Sequence, residues 1–293
     1  SCRIYVPCLW FDPHGTLWMS YTQARGFNDG RSGVWIVTCK DADADPLVWS
    51  APRRIANGIM MNKPIVTQDN TWLFPCAIWR DESGSVPAER HGLENEQFSN
   101  VYASTDEGKT IVLRGHADVP MRSFDEHMIV QKKDGTLWML VRTFDGLGES
   151  FSSDGGFTWT PGHKSHIDNP CSRFFIRRLK SGRLLMINHY NFDQRIDLDD
   201  IMHQGNVKRW KGRSHLTAML SEDDGETWPY TLLLDERDEV SYPDAKEADD
   251  GFIYVCYDHA RVTEREILMA RFTEEEILNG KLSNPESKLR VLV

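Results

Sequence analysis

Two charged residues bracket one short stretch of the chain. Glu126 opens the run Phe124-Asp125-Glu126-His127-Met128-Ile129-Val130, and Arg142 closes Leu140-Val141-Arg142-Thr143. Between them lie an apolar run, the turn Lys133-Asp134-Gly135-Thr136 and a second apolar run, which predict a two-stranded hairpin. A hairpin returns its end to its start, so this carboxylate and this guanidinium are expected as neighbours, either a plain ion pair or two poles of a site. Tyr242, in Val240-Ser241-Tyr242-Pro243-Asp244, begins another such unit, and Arg213 stands in Gly212-Arg213-Ser214-His215. A tyrosine hydroxyl ordinarily ionises near pH ~10. It acts at neutral pH only where a carboxylate can take its proton and cations can stabilise the phenolate; otherwise Tyr242 is a core residue with a bonded hydroxyl. His127, Arg173, His189, His215, Asp244, Asp258 and Arg261 flank predicted strands at comparable places, and Lys63 opens one in Met61-Asn62-Lys63-Pro64. Singly, each reads as structural. Together they gather His and Arg on a chain of net charge −10, and that contrast favours an anionic sugar as the ligand.

The elements that must position these residues repeat. A hairpin unit of apolar strand, polar turn and apolar strand starts at Arg3, Asn62, Glu126, Arg173 and Tyr242. Gly15, Asn70, Gly135, Gly182 and Gly251 stand where each pair of strands reverses. A second, sharper unit follows three of them: Ser104-x-Asp106-x-Gly108-x-Thr110, Ser152-x-Asp154-x-Gly156-x-Thr158-Trp159 and Ser221-x-Asp223-x-Gly225-x-Thr227-Trp228. In such a turn the carboxylate and hydroxyls can bond the turn's own backbone N–H groups, the glycine supplies an unusual φ, and the Trp is expected to plug between sheets. The stretch before Trp49 falls where another copy belongs, but the pattern is lost there.

This second unit resembles the Asp box of the sialidases and BNR-repeat proteins, and the resemblance runs over nearly the whole chain. It implies an all-β, sialidase-like β-propeller of the six-bladed type, read as one domain over 1–293. Five blades are legible, at about 3–56, 62–116, 124–165, 172–232 and 240–272. The sixth is expected upstream of the chain or too divergent to read, with a true five-bladed propeller as the remaining option. The segment 192–212 reads as a long polar loop and 273–281 as a short helix. The Asp boxes themselves are structural.

The resemblance also implies roles. In the sialidases a Glu heading such a hairpin is the base partner of a nucleophilic Tyr, and Arg residues bind the substrate carboxylate. Glu126, Arg142, Arg213 and Tyr242 fall in the family's order, which assigns Tyr242 and Glu126 to catalysis and Arg142 and Arg213 to the carboxylate. His127, Arg173, Lys63, Asp244 and Arg261 are expected around the substrate. A Tyr suits attack beside a carboxylate, which would repel a carboxylate nucleophile, and sialidases are the tyrosine exception among glycosidases. The family's Arg-Ile-Pro tripeptide is absent, Arg3-Ile4-Tyr5 being a poor substitute. The acid/base Asp has only Asp12 and Asp29 as candidates.

Three readings stay open: an exo-acting glycoside hydrolase on a terminal acidic sugar, a polysaccharide lyase on uronates with Tyr242 or His127 as base, and a carbohydrate-binding propeller without catalysis. Fold does not choose among them. The charge and the lack of a basic stripe argue against nucleic acid, and no apolar run is long enough for a membrane span. No phosphate loop or metal motif appears, so no cofactor is implied. Six cysteines without a CxxC spacing read as free thiols. Secretion or a periplasmic location is expected from the resemblance alone, and nothing in the sequence sets the oligomeric state.

Overall fold

The computed structural model describes residues 2–25, 32–79, 92–192 and 212–293. Among them are five four-stranded antiparallel sheets, each ordered as its strands follow in sequence. The first is β1 (Cys2–Phe11), β2 (Leu17–Arg25), β3 (Gly33–Cys39) and β4 (Arg53–Asn57). The second is β5 (Ile65–Val66), β6 (Trp72–Ala77), β7 (Ser99–Ser104) and β8 (Val112–Ala117). The third is β9 (Met128–Gln131), β10 (Leu137–Arg142), β11 (Leu147–Ser152) and β12 (His163–Lys164). The fourth is β13 (Phe175–Arg178), β14 (Leu184–His189), β15 (Leu216–Ser221) and β16 (Tyr230–Asp235). The fifth is β17 (Val240–Glu247), β18 (Phe252–His259), β19 (Glu266–Thr273) and β20 (Lys288–Leu292). Its last strand lies beyond the blade end read from sequence at 272, because a helix and a loop intervene.

The chain divides into two compact units, one of Ser1–Val141 with Gly148–His163 and one of Arg142–Leu147 with Lys164–Val293. The core of the first is aromatic. Trp10, Trp18 and Trp72 meet edge to face with centroids 5.0–5.8 Å apart, over Val34, Ile36, Phe74 and Tyr102. A second cluster joins Leu73, Val101, Ile129, Leu137 and Met139, with Trp159 of an Asp box packed against it. The second unit buries β14 and β15 completely.

The Asp boxes close the third strand of a sheet onto the fourth, after β7, β11 and β15. In the first, Ser104 Oγ donates to Asp106 (2.7 Å) and accepts from the Gly108 N–H (2.8 Å), while Asp106 accepts from the Thr110 N–H (2.8 Å). The boxes at Ser152 and Ser221 repeat these bonds. Gly108 has φ +77°, and a Cβ there would lie 2.5 Å from Trp18, so only glycine fits. In the first sheet Cys39 stands where the box serine would be, and its Sγ turns to the Asp41 carbonyl at 3.1 Å.

The helix expected at 273–281 is α1 (Glu274–Asn279), with Thr273 and Glu276 forming a capping box and Gly280 a left-handed C-cap. Among the described residues no helix is long and apolar enough to cross a membrane. Of the six cysteines four are buried, and Cys2 and Cys256 are exposed. The polar segment read at 192–212 lies outside the described residues except at its two ends.

Candidate active site

Tyr242 owes its placement to a defect in β17. Ser241 pairs with Asp258 and Asp244 with Cys256, so three steps along β17 match two along β18. The extra residue is a β-bulge, which bends a strand and re-aims a side chain. Tyr242 has φ +57°, uncommon for a bulky residue, and Pro243 follows without an N–H to lose from the ladder.

Four arginines converge on this bulge within the second unit. Arg142, the last residue of β10, donates from Nη1 to the Tyr242 hydroxyl at 3.2 Å. Arg261, just past β18, places its guanidinium carbon 4.1 Å from the Tyr242 ring centroid, and Arg213 does so at 5.7 Å, both within cation–π range. Arg173 works from behind: it donates to the Tyr242 carbonyl at 3.5 Å and to the Pro243 carbonyl, and it pairs with Asp244 at 3.6 Å. Arg142, Arg173 and Arg213 are buried. Burial, and after it the charge of Arg142, presses the Arg213 guanidinium down to about 9. It remains a cation at neutral pH, in a place where a negative charge is favoured.

The loop carrying Arg213 is pinned at several points. Arg213 donates to the Cys171 carbonyl at 2.8 Å, and its own carbonyl accepts from the Val240 N–H at 3.1 Å. The buried His189 bonds the Ser214 carbonyl through Nδ1 at 2.8 Å. Burial, with Arg213 and His215 adding repulsion, holds that imidazole down to about 3, so it is neutral. His215, at φ +53°, has Nδ1 3.0 Å from Ser214 Oγ.

Glu126 belongs to the first unit. It is buried and ends a run of three left-handed residues, Phe124 (φ +60°), Asp125 (+55°) and Glu126 (+35°). Such a run holds only where its surroundings over-determine it. Asp125 accepts from Ser99 Oγ at 2.9 Å and from Arg122 at 3.2 Å. The Asn62 amide donates to the carbonyls of both Glu126 and His127, at 2.7 and 3.0 Å. His127 is buried with Nε2 bonded to the Asn100 carbonyl at 2.8 Å, and burial lowers its pKa. Lys63 stands half-buried next to Asn62, just before β5.

Six of the nine residues named from sequence thus meet around one tyrosine: Tyr242, Arg142, Arg213, Arg261, Arg173 and Asp244. Glu126, His127 and Lys63 are placed in the other unit. Asp12 is engaged within its own turn. Its carboxylate accepts from the His14 and Thr16 N–H groups and from Trp18 Nε1, each at 2.9 Å, which locks the β1–β2 turn and the Trp cluster. Asp29 lies outside the described residues. Sequence reasoning missed Ser241, Ser99, Arg122, Asp125 and Asn62 as supports. Ser241, Asn62 and Asp125 had a signal, by standing next to Tyr242, Lys63 and Glu126. Among the described residues no group of three or more His, Cys, Asp or Glu side chains could hold a metal ion.

The family described as BNR repeat-like domain matches residues 2–255. No curated protein matches the sequence. Among solved structures, the Hadza microbial sialidase Hz136 is 19% identical with a TM-score of 0.64, over 88% of this chain and 50% of its own. The leech intramolecular trans-sialidase is 12% identical with a TM-score of 0.66, over 95% and 57%. The α-L-arabinanase of Penicillium chrysogenum is 14% identical with a TM-score of 0.56, over 96% and 80%. The chain therefore spans little more than half the length of the two sialidase-type structures. At these identities the likeness establishes the fold: an all-β, sialidase-like β-propeller with five blades described.

Proposed function

The chain belongs to the BNR repeat-like domain family, and from that premise we propose that it is an exo-acting glycoside hydrolase on a terminal acidic sugar. The observation that carries the reading is the tyrosine hydroxyl held by one buried arginine while two more guanidiniums face its ring. Cations so placed stabilise negative charge that develops on the phenolic oxygen. Arg142 and Arg213, both buried cations, suit the carboxylate of an acidic sugar. Two of the fold relatives are a sialidase and a trans-sialidase complexed with 2,7-anhydro-Neu5Ac, and sialic acids are terminal acidic sugars.

In this reading the Tyr242 proton passes to Glu126, a role that rests on the resemblance of its segment. The phenolic oxygen bonds to the anomeric carbon as the glycosidic C–O bond breaks, and the leaving oxygen takes up a proton. Water then displaces Tyr242 from the sugar and restores the phenol. The uronate lyase reading keeps Tyr242 as its base. His127 serves that reading poorly, since Nε2 is committed to Asn100.

The test is incubation of the protein with terminal acidic glycosides and uronate oligosaccharides, following saturated sugar release and the absorbance of unsaturated products together. Release of saturated sugar that is abolished in Tyr242→Phe, and cut by Glu126→Gln, is the expected result. Unsaturated product would overturn the hydrolase in favour of the lyase. Binding without turnover in wild type would leave a recognition module.

A further inference from the structure

Arg261 is tied to a carboxylate of its own sheet, Asp258. Its Nη2 donates to Asp258 at 2.6 Å and to Ser241 Oγ at 3.0 Å, and Ser241 Oγ in turn donates to the other Asp258 oxygen at 2.7 Å. These three side chains form a closed triangle across the β17–β18 pair, one residue from the bulge. Its geometry holds the guanidinium over the tyrosine ring, with its carbon 4.1 Å from the centroid. The loop beyond β18 is anchored as well, since Ala260 donates to the Glu239 carbonyl at 3.1 Å and accepts from Arg265 at 2.9 Å.

Such an arginine is badly placed to clamp a sugar carboxylate. Bidentate recognition needs a free edge of the fork, and one of its terminal nitrogens is already shared between Asp258 and Ser241. An approaching carboxylate would also meet the like charge of Asp258.

The chain carries its own comparison. The first sheet repeats this construction: Tyr5 pairs with Thr22 and Cys8 with Ser20, leaving a bulge with Val6 at φ +50° and Pro7 after it. About fifteen residues past each bulge residue a matching segment begins, Tyr21-Thr22-Gln23-Ala24-Arg25 in one case and Tyr257-Asp258-His259-Ala260-Arg261 in the other. Backbone, proline and Tyr-x-x-Ala-Arg recur. The bulge residue and the partner of the residue before it change together, Val6 with Thr22 and Tyr242 with Asp258. The acid is present in the copy that has the tyrosine.

We propose that Asp258 and Ser241 hold Arg261 for Tyr242 itself, so that Arg261 is a positioning residue that stabilises the tyrosine's ionised form and does not bind the sugar carboxylate. The kinetic part of this inference rests on the reading of Tyr242 as nucleophile; the ionisation part does not. The charged and titratable groups facing Tyr242 in this unit are Arg142 at its hydroxyl, Arg213 with His215 beside it, and Arg261 with Asp258. Arg173 and Asp244 lie on its backbone side.

The experiment compares wild type, Arg261→Met and Asp258→Asn, with Tyr242→Phe as the reference that isolates one tyrosine. An ultraviolet titration of the phenolate band, taken as the difference from Tyr242→Phe, gives the ionisation of Tyr242 with no substrate present. Arg261 is part exposed, so its replacement leaves the core intact. The expected result is an upward shift of about one pH unit in Arg261→Met and a smaller one in Asp258→Asn, as the freed guanidinium leaves the ring. On a turned-over glycoside, kcat falls about tenfold with KM within twofold. An unshifted titration in Arg261→Met overturns the inference, as does a raised KM with kcat intact. If no acidic glycoside is turned over, the function reading fails, and the titration still decides this one.

Discussion

Replacing Arg142 by Met removes a cation that touches the Tyr242 hydroxyl. At 3.2 Å, a guanidinium and a phenolate interact by about 5 kcal/mol at the effective dielectric of ~20 that suits protein sites. Not all of that is lost. Arg213 and Arg261 remain near the ring, and water entering the space left by the side chain restores part of the solvation. A net loss of about 3–4 kcal/mol is the reasonable expectation, close to what removal of one preorganised donor costs elsewhere, and it lowers kcat by ~10²–10³. Arg142→Lys keeps the charge and loses the planar fork, so a loss of about tenfold is expected. The assay is steady-state turnover of the acidic glycoside that wild type hydrolyses, with a thermal melt of each variant to exclude unfolding. A folded Met variant with kcat within threefold of wild type would refute the charge argument. If KM alone rose, Arg142 would be binding ground state and transition state alike.

Two further predictions test the fold. Gly108→Ala brings a Cβ to 2.5 Å from Trp18 and 3.0 Å from Trp72 at φ +77°. It is expected to cost about 2–4 kcal/mol in urea unfolding, whereas Gly135→Ala, at φ +91° with nothing within 4 Å, is expected to cost only about 1 kcal/mol; equal losses would refute the packing argument. Glu276 is buried, which alone would raise its pKa, but bonds from Ser287 Oγ and the N–H groups of Asn284, Ser283 and Thr273 bring it down to about 2 from 4.5. Its contribution is therefore complete above about pH 4.5 and is lost as pH falls toward 2. Wild type should lose roughly 2 kcal/mol more between pH 7 and pH 3 than Glu276→Gln does, and parallel stability profiles would contradict that assignment.

How much of this was legible in the sequence depended on how far each interaction reaches along the chain. An Asp box satisfies itself within seven residues, so Ser104, Asp106, Gly108 and Thr110 announce the turn they make. The capping box of α1 is as local, spanning Thr273 to Glu276. The tyrosine and its arginines were legible as a sequence order, since each stands at the end of an apolar strand. Their supports were not. Asn62 holds carbonyls 64 and 65 residues away, and Ser99 reaches Asp125 across 26; no periodicity encodes such pairs. Asp12 was ambiguous for the opposite reason. An acid beside a turn has the same spelling whether it is catalytic or spends itself on His14, Thr16 and Trp18. The strand β20 was missed because its burial pattern is that of an exposed edge, with no turn signal tying it to β19.

The two bulges show how little separates a structural position from a chemical one in this fold. In β1 and β17 the extra residue is turned by the same left-handed φ and followed by the same proline, so the backbone offers the same socket twice. At Val6 the socket holds a half-buried aliphatic side chain beside the Tyr5–Thr22 pair, and the buried Thr22 hydroxyl has no partner. At Tyr242 it holds a phenol, with Asp258 in the threonine's place, and arginines reach it from β10, from the loop before β15 and from the turn after β18. The strain of a left-handed residue is thus a property of the repeat and carries no information about function by itself. Function enters with the side chains that answer it. A tyrosine there without Asp258 would lose the grip on Arg261, and Asp258 without the tyrosine would hold a cation over nothing. That mutual dependence is why the pair, and not the bulge, marks the fifth sheet as the one on which the proposed site rests.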